Sequence, residues 1–253
     1  EAMSMFDLTG KVAIVTGGNG GIGLGIAEGL AECGASVLLT GRNAKKGEAA
    51  ARKIGAKAAF EVADVARQAD CARLVQVAVA KFGRLDILVN NAGISIRKTP
   101  QDFTEADWHR VIDTNLSGTF FLCQAAYPEF RRVGGGKIIN IASVNAILGA
   151  PHNVPYAASK GGVAAMTRGL ATAWAGDNIQ VNAILPGWVE TEMTDSAKAH
   201  IPGLTEYVVA RTPAGRWGKP RDLAGLAVFL AGPSSDWVTG TSMLCDGGYS
   251  IRA

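Results

Sequence analysis

Val12-Ala-Ile-Val-Thr-Gly-Gly-Asn-Gly-Gly-Ile-Gly23 decides the fold. Its first four residues form an unbroken apolar run, the pattern of a strand buried on both faces. Glycines crowd the next eight positions, where the backbone has to turn sharply. A helical pattern then runs to about residue 33, and Gly34 is its expected stop. A strand that turns through glycines into a helix points free backbone N–H groups at whatever sits on the helix amino end, and a diphosphate suits that place. The same glycines would also serve a tight turn with no ligand.

Working outward, short apolar runs alternate with helical patterns. Strands are expected at 37–39, 58–62, 87–89, 137–141 and 179–185. Helices are expected at 44–54, 67–82 and 105–131, and another from about Val154. Such alternation makes a parallel sheet covered on both faces, and right-handed crossovers leave a doubly wound sheet as the economical answer. The expected fold class is therefore α/β: a Rossmann-type doubly wound parallel sheet of about seven strands, in a single domain over 3–253. Glu1-Ala2 before Met3 reads as a cloning remnant. The stretch 190–214 mixes polar residues with Pro202-Gly203 and a short helical pattern; a mobile substrate lid is expected there.

Composition excludes several classes. Of 253 residues, 48% are hydrophobic and 19% charged, enough for a large core and too apolar for disorder. The net charge of +3 is too mild and dispersed to argue for nucleic acid. There is no apolar run long enough for a membrane helix and no signal-peptide pattern. Cys33, Cys71, Cys123 and Cys245 lie far apart, and the three histidines show no ligand spacing. No metal site or disulfide framework is expected, and a reducing cytoplasm fits.

The second strand ends at Thr40-Gly-Arg-Asn43, where an NAD site usually places a carboxylate for the ribose 2′-hydroxyl. Gly41 offers none. Arg42 offers a planar cation suited to a 2′-phosphate, or is a solvated surface residue. NADP(H) is favoured and NAD(H) remains possible. Asp64, after the third strand, can accept from an adenine amino group or cap a helix.

Ser143 follows the strand at 137–141, and Tyr156 and Lys160 stand at i and i+4, on one helix face. A tyrosine is a poor base at neutral pH, and an ammonium beside it favours the phenolate. Ser143 can donate to a substrate oxygen as charge changes there. Taken alone, Tyr-x-x-x-Lys is an ordinary helix surface; joined to the glycine turn and Ser143 it reads as a reacting set.

These residues resemble the short-chain dehydrogenase/reductase family. The likeness covers Lys11 to Gly248 and rests on the turn from Thr16 to Gly23, Asn90-Asn-Ala-Gly93, Asn115, Ser143, Tyr156, Lys160 and Pro186-Gly187. The resemblance implies that Tyr156 exchanges a proton with the substrate oxygen and that Lys160 depresses its pKa and holds the nicotinamide ribose. Ser143 would polarise the carbonyl, and Asn115 would support a water linking Lys160 to solvent. The implied cofactor contacts are Gly17, Asn19, Gly20, Gly21, Ile22, Gly23, Arg42, Asp64, Val65, Asn91, Ala92, Gly93, Tyr156, Lys160, Pro186, Gly187, Val189 and Thr191. Val189 backbone and Thr191 hydroxyl would meet the carboxamide. NADP-using relatives often carry a basic residue where this chain has Asn19-Gly20, which leaves the 2′-phosphate mainly to Arg42. The carboxyl end, 214–248, resembles the family's last helix and strand and its subunit contact, and a homotetramer is implied.

Substrate residues are expected at the carboxyl ends of the later strands. Arg97, Asn145, His152 and Trp188 are the main candidates, with Ser95, Ile96, Val144 and Met193 beside them. Arg97 can clamp a carboxylate or be a solvated loop arginine, and His152 can bond a hydroxyl or pack a loop. The stretches 90–98 and 213–218 resemble the sugar-acid and polyol branch, which contains gluconate and deoxygluconate dehydrogenases. The 3-oxoacyl-carrier-protein reductase branch is also close; its acidic carrier would need a basic patch, for which Arg131-Arg132 is a thin candidate. A third reading is a nicotinamide sensor without turnover. It predicts a damaged reacting set, whereas Asn115, Ser143, Tyr156 and Lys160 are all present.

Overall fold

β1 (Val12–Thr16) is buried along its whole length, and its residues alternate between two cores. Ala13 and Val15 face one cluster and Ile14 the other. This is the reason the run shows no polar alternation: both faces of the sheet are covered. The computed structural model describes residues 5–252, the side chain of His200 excepted. Glu1-Ala2, and Met3 and Ala253 at the ends of the expected domain, lie outside the described residues.

The other strands are β2 (Ser36–Gly41), β3 (Ala58–Val62), β4 (Ile87–Asn90), β5 (Gly136–Ile141), β6 (Ile179–Pro186) and β7 (Ser242–Cys245). They form one seven-stranded sheet in the order β3-β2-β1-β4-β5-β6-β7. Every pairing is parallel. The fold is the expected Rossmann-type doubly wound sheet. The chain reverses direction of growth between β1 and β4, and a crevice opens there at the carboxyl ends.

On one face, α1 (Gly21–Glu32) packs against α9 (Ala224–Ala231), burying Ile26, Leu30, Ala227 and Val228 on the sheet. Beside them lies α2 (Ala44–Ile54). On the other, α3 (Gln68–Phe82), α5 (Gly118–Val133) and α6 (Val154–Trp174) bury Leu74, Leu122, Phe130 and Leu170. Each such side chain contributes about 1.5–3 kcal/mol relative to exposure.

The helix expected over 105–131 is interrupted. α4 (Glu105–Ile112) and α5 are joined by a π-helical turn, Asp113–Ser117, closed by Gly118 N–H donating to the Asp113 carbonyl. Hydrophobic periodicity cannot register one extra residue in a turn; tertiary contacts of Asn115 impose it, as described below. Over 190–214 the chain forms α7 (Glu192–His200) and α8 (Leu204–Arg211), with Leu204 and Val208 packed around Trp217.

Candidate active site

The glycine turn is shaped by contacts that a side chain would destroy. A Cβ on Gly23 would lie 2.4 Å from the Gly17 carbonyl oxygen, so the start of α1 has to pack on the turn itself. Gly17 has φ +63°, in the left-handed region. Thr16 at the end of β1 ties the turn to β4: its hydroxyl accepts from Asn91 N–H at 3.0 Å and Ala92 N–H at 2.9 Å. Asn91 Nδ2 donates back to the Thr16 carbonyl at 2.9 Å. Asn91 thus holds the turn in shape. α1 begins with no side-chain cap and no acidic residue in its first turn, leaving its amino end open to an anion.

A cavity of about 300 Å³ lies over this turn. It brings together Gly17, Asn19, Gly20, Gly21, Ile22, Asn91, Ala92 and Gly93 with Ser143, Tyr156, Lys160, Pro186, Gly187, Val189 and Thr191. Gly23 stands behind the turn. A second cavity of about 350 Å³ continues past the end of β2, lined by Thr40, Gly41, Arg42, Asp64 and Val65 among others. Gly41 approaches Asn19 closely: a Cβ there would meet its Oδ1 at 2.9 Å. Asp64 does not cap α3, whose cap position is Arg67; its carboxylate accepts from Ala66 N–H at 3.0 Å. Arg42 is exposed and has no ion-pair partner among the described residues.

At the reacting end, Ser143 is buried just beyond β5 and its Oγ accepts from Asn145 N–H at 3.1 Å. The Ser143 hydroxyl lies near enough to the Tyr156 phenol to act on its pKa. One turn further along α6, Lys160 is 4% exposed; its Nζ donates to the Ile141 carbonyl at 2.7 Å and lies 5.6 Å from the Tyr156 ring centroid. Burial brings its pKa down to about 8.

The expected depression of Tyr156 by Lys160 is not what this geometry produces. Burial raises the Tyr156 pKa, against the opposing effects of the Ser143 hydroxyl and the Arg97 charge. The Lys160 ammonium lies against the ring and directs one N–H to the Ile141 carbonyl, and it is not among the groups that move the Tyr156 pKa.

Asn115 lies below this pair, 1% exposed. Its Oδ1 accepts from Ile94 N–H at 2.8 Å, and its Nδ2 donates to the Ile94 carbonyl at 2.9 Å and Ser159 Oγ at 3.1 Å. These bonds hold the π turn in place and fasten the loop after β4 to α6. Gly93 is held against the same pair: a Cβ would lie 3.3 Å from Asn115 Oδ1 and 3.6 Å from Lys160 Nζ.

Thr191 caps α7, accepting from Thr194 N–H at 3.3 Å. The Val189 carbonyl accepts from Thr194 Oγ1 at 2.7 Å. Neither group is thereby removed from the cavity it lines.

The four substrate candidates separate. The Arg97 guanidinium lies 5.7 Å over the Trp188 ring, and burial of its surroundings pushes its pKa down, opposed by Tyr156. Trp188 also stacks edge-on against Trp217, centroids 5.5 Å apart. His152 is exposed, and its carbonyl accepts from Lys98 N–H at 2.9 Å. Asn145 reaches the set through its backbone. None of the four lines the main cavity; of the residues named beside them, Met193 does. The sequence reading missed Lys46 and Glu192, which line both cavities, and Ser159, which holds Asn115. Lys46 had a signal: Asn43 as helix cap places it in the first turn of α2.

Comparison with known proteins agrees with this geometry. A family model described as enoyl-(acyl carrier protein) reductase matches residues 17–250. The chain is 41% identical to gluconate 5-dehydrogenase of Gluconobacter oxydans (strain 621H), over 98% of this chain and 97% of that one. It is 42% identical to 2-dehydro-3-deoxy-D-gluconate 5-dehydrogenase of Dickeya dadantii (strain 3937), over 99% of each. The crystal structure of a gluconate 5-dehydrogenase from Burkholderia cenocepacia J2315, in complex with NADP and tartrate, superimposes with a TM-score of 0.94 at 41% identity, over 100% of both chains. With its sheet order, glycine turn and reacting set in place, the chain belongs to the short-chain dehydrogenase/reductase family of NAD(P)-dependent oxidoreductases.

Proposed function

We propose that this protein is an NADP(H)-linked dehydrogenase/reductase that interconverts a secondary alcohol and a ketone on a sugar acid or a related polyol. The observation that carries it is the placement of Ser143, Tyr156 and Lys160 together in the cavity that the glycine turn opens. The residues fit the dinucleotide: the turn excludes side chains, the start of α1 is uncapped, and the Thr40 hydroxyl is buried without a partner beside Arg42. When bound, the nicotinamide supplies or accepts the hydride.

Tyr156 gives its phenolic proton to the carbonyl oxygen during reduction and takes it back during oxidation. A raised pKa keeps that proton in place at neutral pH, which suits the reductive direction. Ser143 stabilises the oxygen as it gains charge. Lys160 holds the ribose, and Asn115 fixes the floor on which Lys160 and Gly93 meet. Arg97, aligned by Trp188 and close enough for its charge to act on Tyr156, receives the substrate carboxylate. The relatives that act on gluconate and its derivatives support this substrate class. The carrier-protein reading has a weaker basic patch to draw on, since Arg131 pairs with Asp177 at 3.0 Å and Arg132 with Glu129 at 2.6 Å.

α7 and α8 act as the substrate lid, and the described residues make one domain. Assembly as a homotetramer is supported by apolar side chains on two sides: Trp108 and Phe120 on α4 and α5, and Trp237, 99% exposed, with Leu244 by the edge strand β7. A cytoplasmic location fits the four free cysteines; no described helix is long and apolar enough to cross a membrane.

The test is NADPH consumption with 5-keto-D-gluconate, a polyol-derived ketose and an acetoacetyl thioester as alternative substrates. Turnover of the keto acid above the other two is expected. Turnover of the thioester alone would overturn the substrate class.

A further inference from the structure

The cavity at the carboxyl end of β2 holds a second cation besides Arg42. Lys46 stands in the first turn of α2, where the Asn43 side chain accepts from its backbone N–H at 3.0 Å and so sets the start of the helix. Its ammonium reaches back over the glycine turn: a Cβ on Gly20 would lie 2.8 Å from Lys46 Nζ. There it meets the Glu192 carboxylate at 2.5 Å. Glu192 is the first residue of α7, so the pair crosses the cleft between the cofactor half and the lid. Both residues line both cavities.

Two further observations bear on what Lys46 is for. Thr40 borders the same cavity, and its buried hydroxyl has no hydrogen-bond partner. The amino end of α2 faces it too, and favours an anion. The side chain of Glu192 is 83% exposed and that of Lys46 37%, so their pair is weak and readily exchanged.

We propose that Lys46 is a second receiver of the cofactor 2′-phosphate and that Glu192 holds it in reserve, so that selection of NADP(H) over NAD(H) is an exchange of Lys46 from the lid carboxylate to the phosphate. The inference rests on the NADP(H) reading above. A phosphate dianion at this place meets Arg42 and Lys46, whereas a ribose 2′-hydroxyl leaves Lys46 with Glu192. Glu192 then opposes NADP(H) twice, as a competitor for Lys46 and as a like charge.

The experiment is fluorescence titration of the full chain with NADPH and NADH, together with calorimetry using adenosine 2′,5′-bisphosphate, which carries the phosphate and no nicotinamide. Lys46→Met weakens NADPH and the bisphosphate about tenfold or more and moves NADH less than about twofold. Lys46→Arg keeps most of the preference. Glu192→Gln tightens NADPH about threefold, and this gain disappears in the Lys46→Met background. If the unaltered protein binds both cofactors equally, the NADP(H) reading fails and the inference with it. If it prefers NADPH and Lys46→Met keeps that preference, the inference alone is overturned. If Glu192→Gln leaves NADPH unchanged, the reserve role of Glu192 is overturned.

Discussion

Two groups of charge lie at opposite ends of the same sheet, and they are finished differently. At the amino ends of β1, β4 and β5, around a cavity of about 330 Å³, the charges are matched. Asp86 is 5% exposed and accepts from Val12 N–H at 3.0 Å, Arg84 at 2.8 and 2.6 Å and Lys11 at 3.3 Å. Lys137, pushed down in pKa by burial, has Asp236 at 2.6 Å to offset it. At the carboxyl ends, Lys160 is buried with a backbone carbonyl and no carboxylate, and Tyr156 has Ser143. The first group completes the fold. The second includes the residues that the proposed reaction uses.

The comparison breaks most visibly at Tyr156. Tyr156→Phe removes the transferable proton and keeps the ring, so turnover falls about a thousandfold or more, while NADPH fluorescence titrations stay within about twofold. Retained turnover would remove Tyr156 from proton transfer. At the other end, Asp86→Ala strands Arg84 and the Val12 N–H. It should lower unfolding stability by about 3 kcal/mol in a denaturant melt, with turnover per folded molecule unchanged. A stability loss near zero would show that the lower charges are not a structural network.

Lys160 sharpens the contrast through pH. Its folded pKa is about 8 against an ordinary 10.5. Below pH 8 the lysine is charged in both states and the fold carries the full cost of burying that charge. Between about 8 and 10.5 the unfolded chain holds more protons, so stability rises with pH. Relative to Lys160→Met, the unaltered protein should gain up to about 3 kcal/mol across that window. A difference that does not change with pH would mean Lys160 is hydrated in the fold. The smallest effect concerns Arg97. Arg97→Ala should lower kcat/KM for a keto acid about tenfold and spare an uncharged ketose, and equal losses on both would assign it to Tyr156 alone.

Legibility followed locality. The glycine turn, the Tyr156–Lys160 spacing and the strand at Ser143 are short-range patterns, so the fold class could be read directly, and the proposed reacting residues lie together in one cavity. The π turn at Asp113–Ser117 could not be, because its cause is a set of bonds from Asn115 to Ile94 and Ser159. The depression of Tyr156 by Lys160 was expected from spacing and failed for a similar reason. An i,i+4 pair shares a helix face, but the direction of the ammonium was set by the Ile141 carbonyl on another element. Arg97, Asn145, His152 and Trp188 were chosen for their places after the later strands, yet none lines the cavity that holds Ser143, Tyr156 and Lys160.

By itself, the sequence determined a doubly wound parallel sheet, a glycine turn between its first strand and helix, and the proposed Ser143, Tyr156 and Lys160 set. Each follows from patterns spanning one element and the turn beside it, where backbone sterics and hydrophobic periodicity act. Only the tertiary structure decided which charges are matched and which are left open. It set Lys160 beneath Tyr156, aligned Arg97 on Trp188, and brought Lys46 across the cleft to Glu192, 146 residues away. Coulomb interactions and desolvation depend on distance through space, and chain order carries no record of that distance.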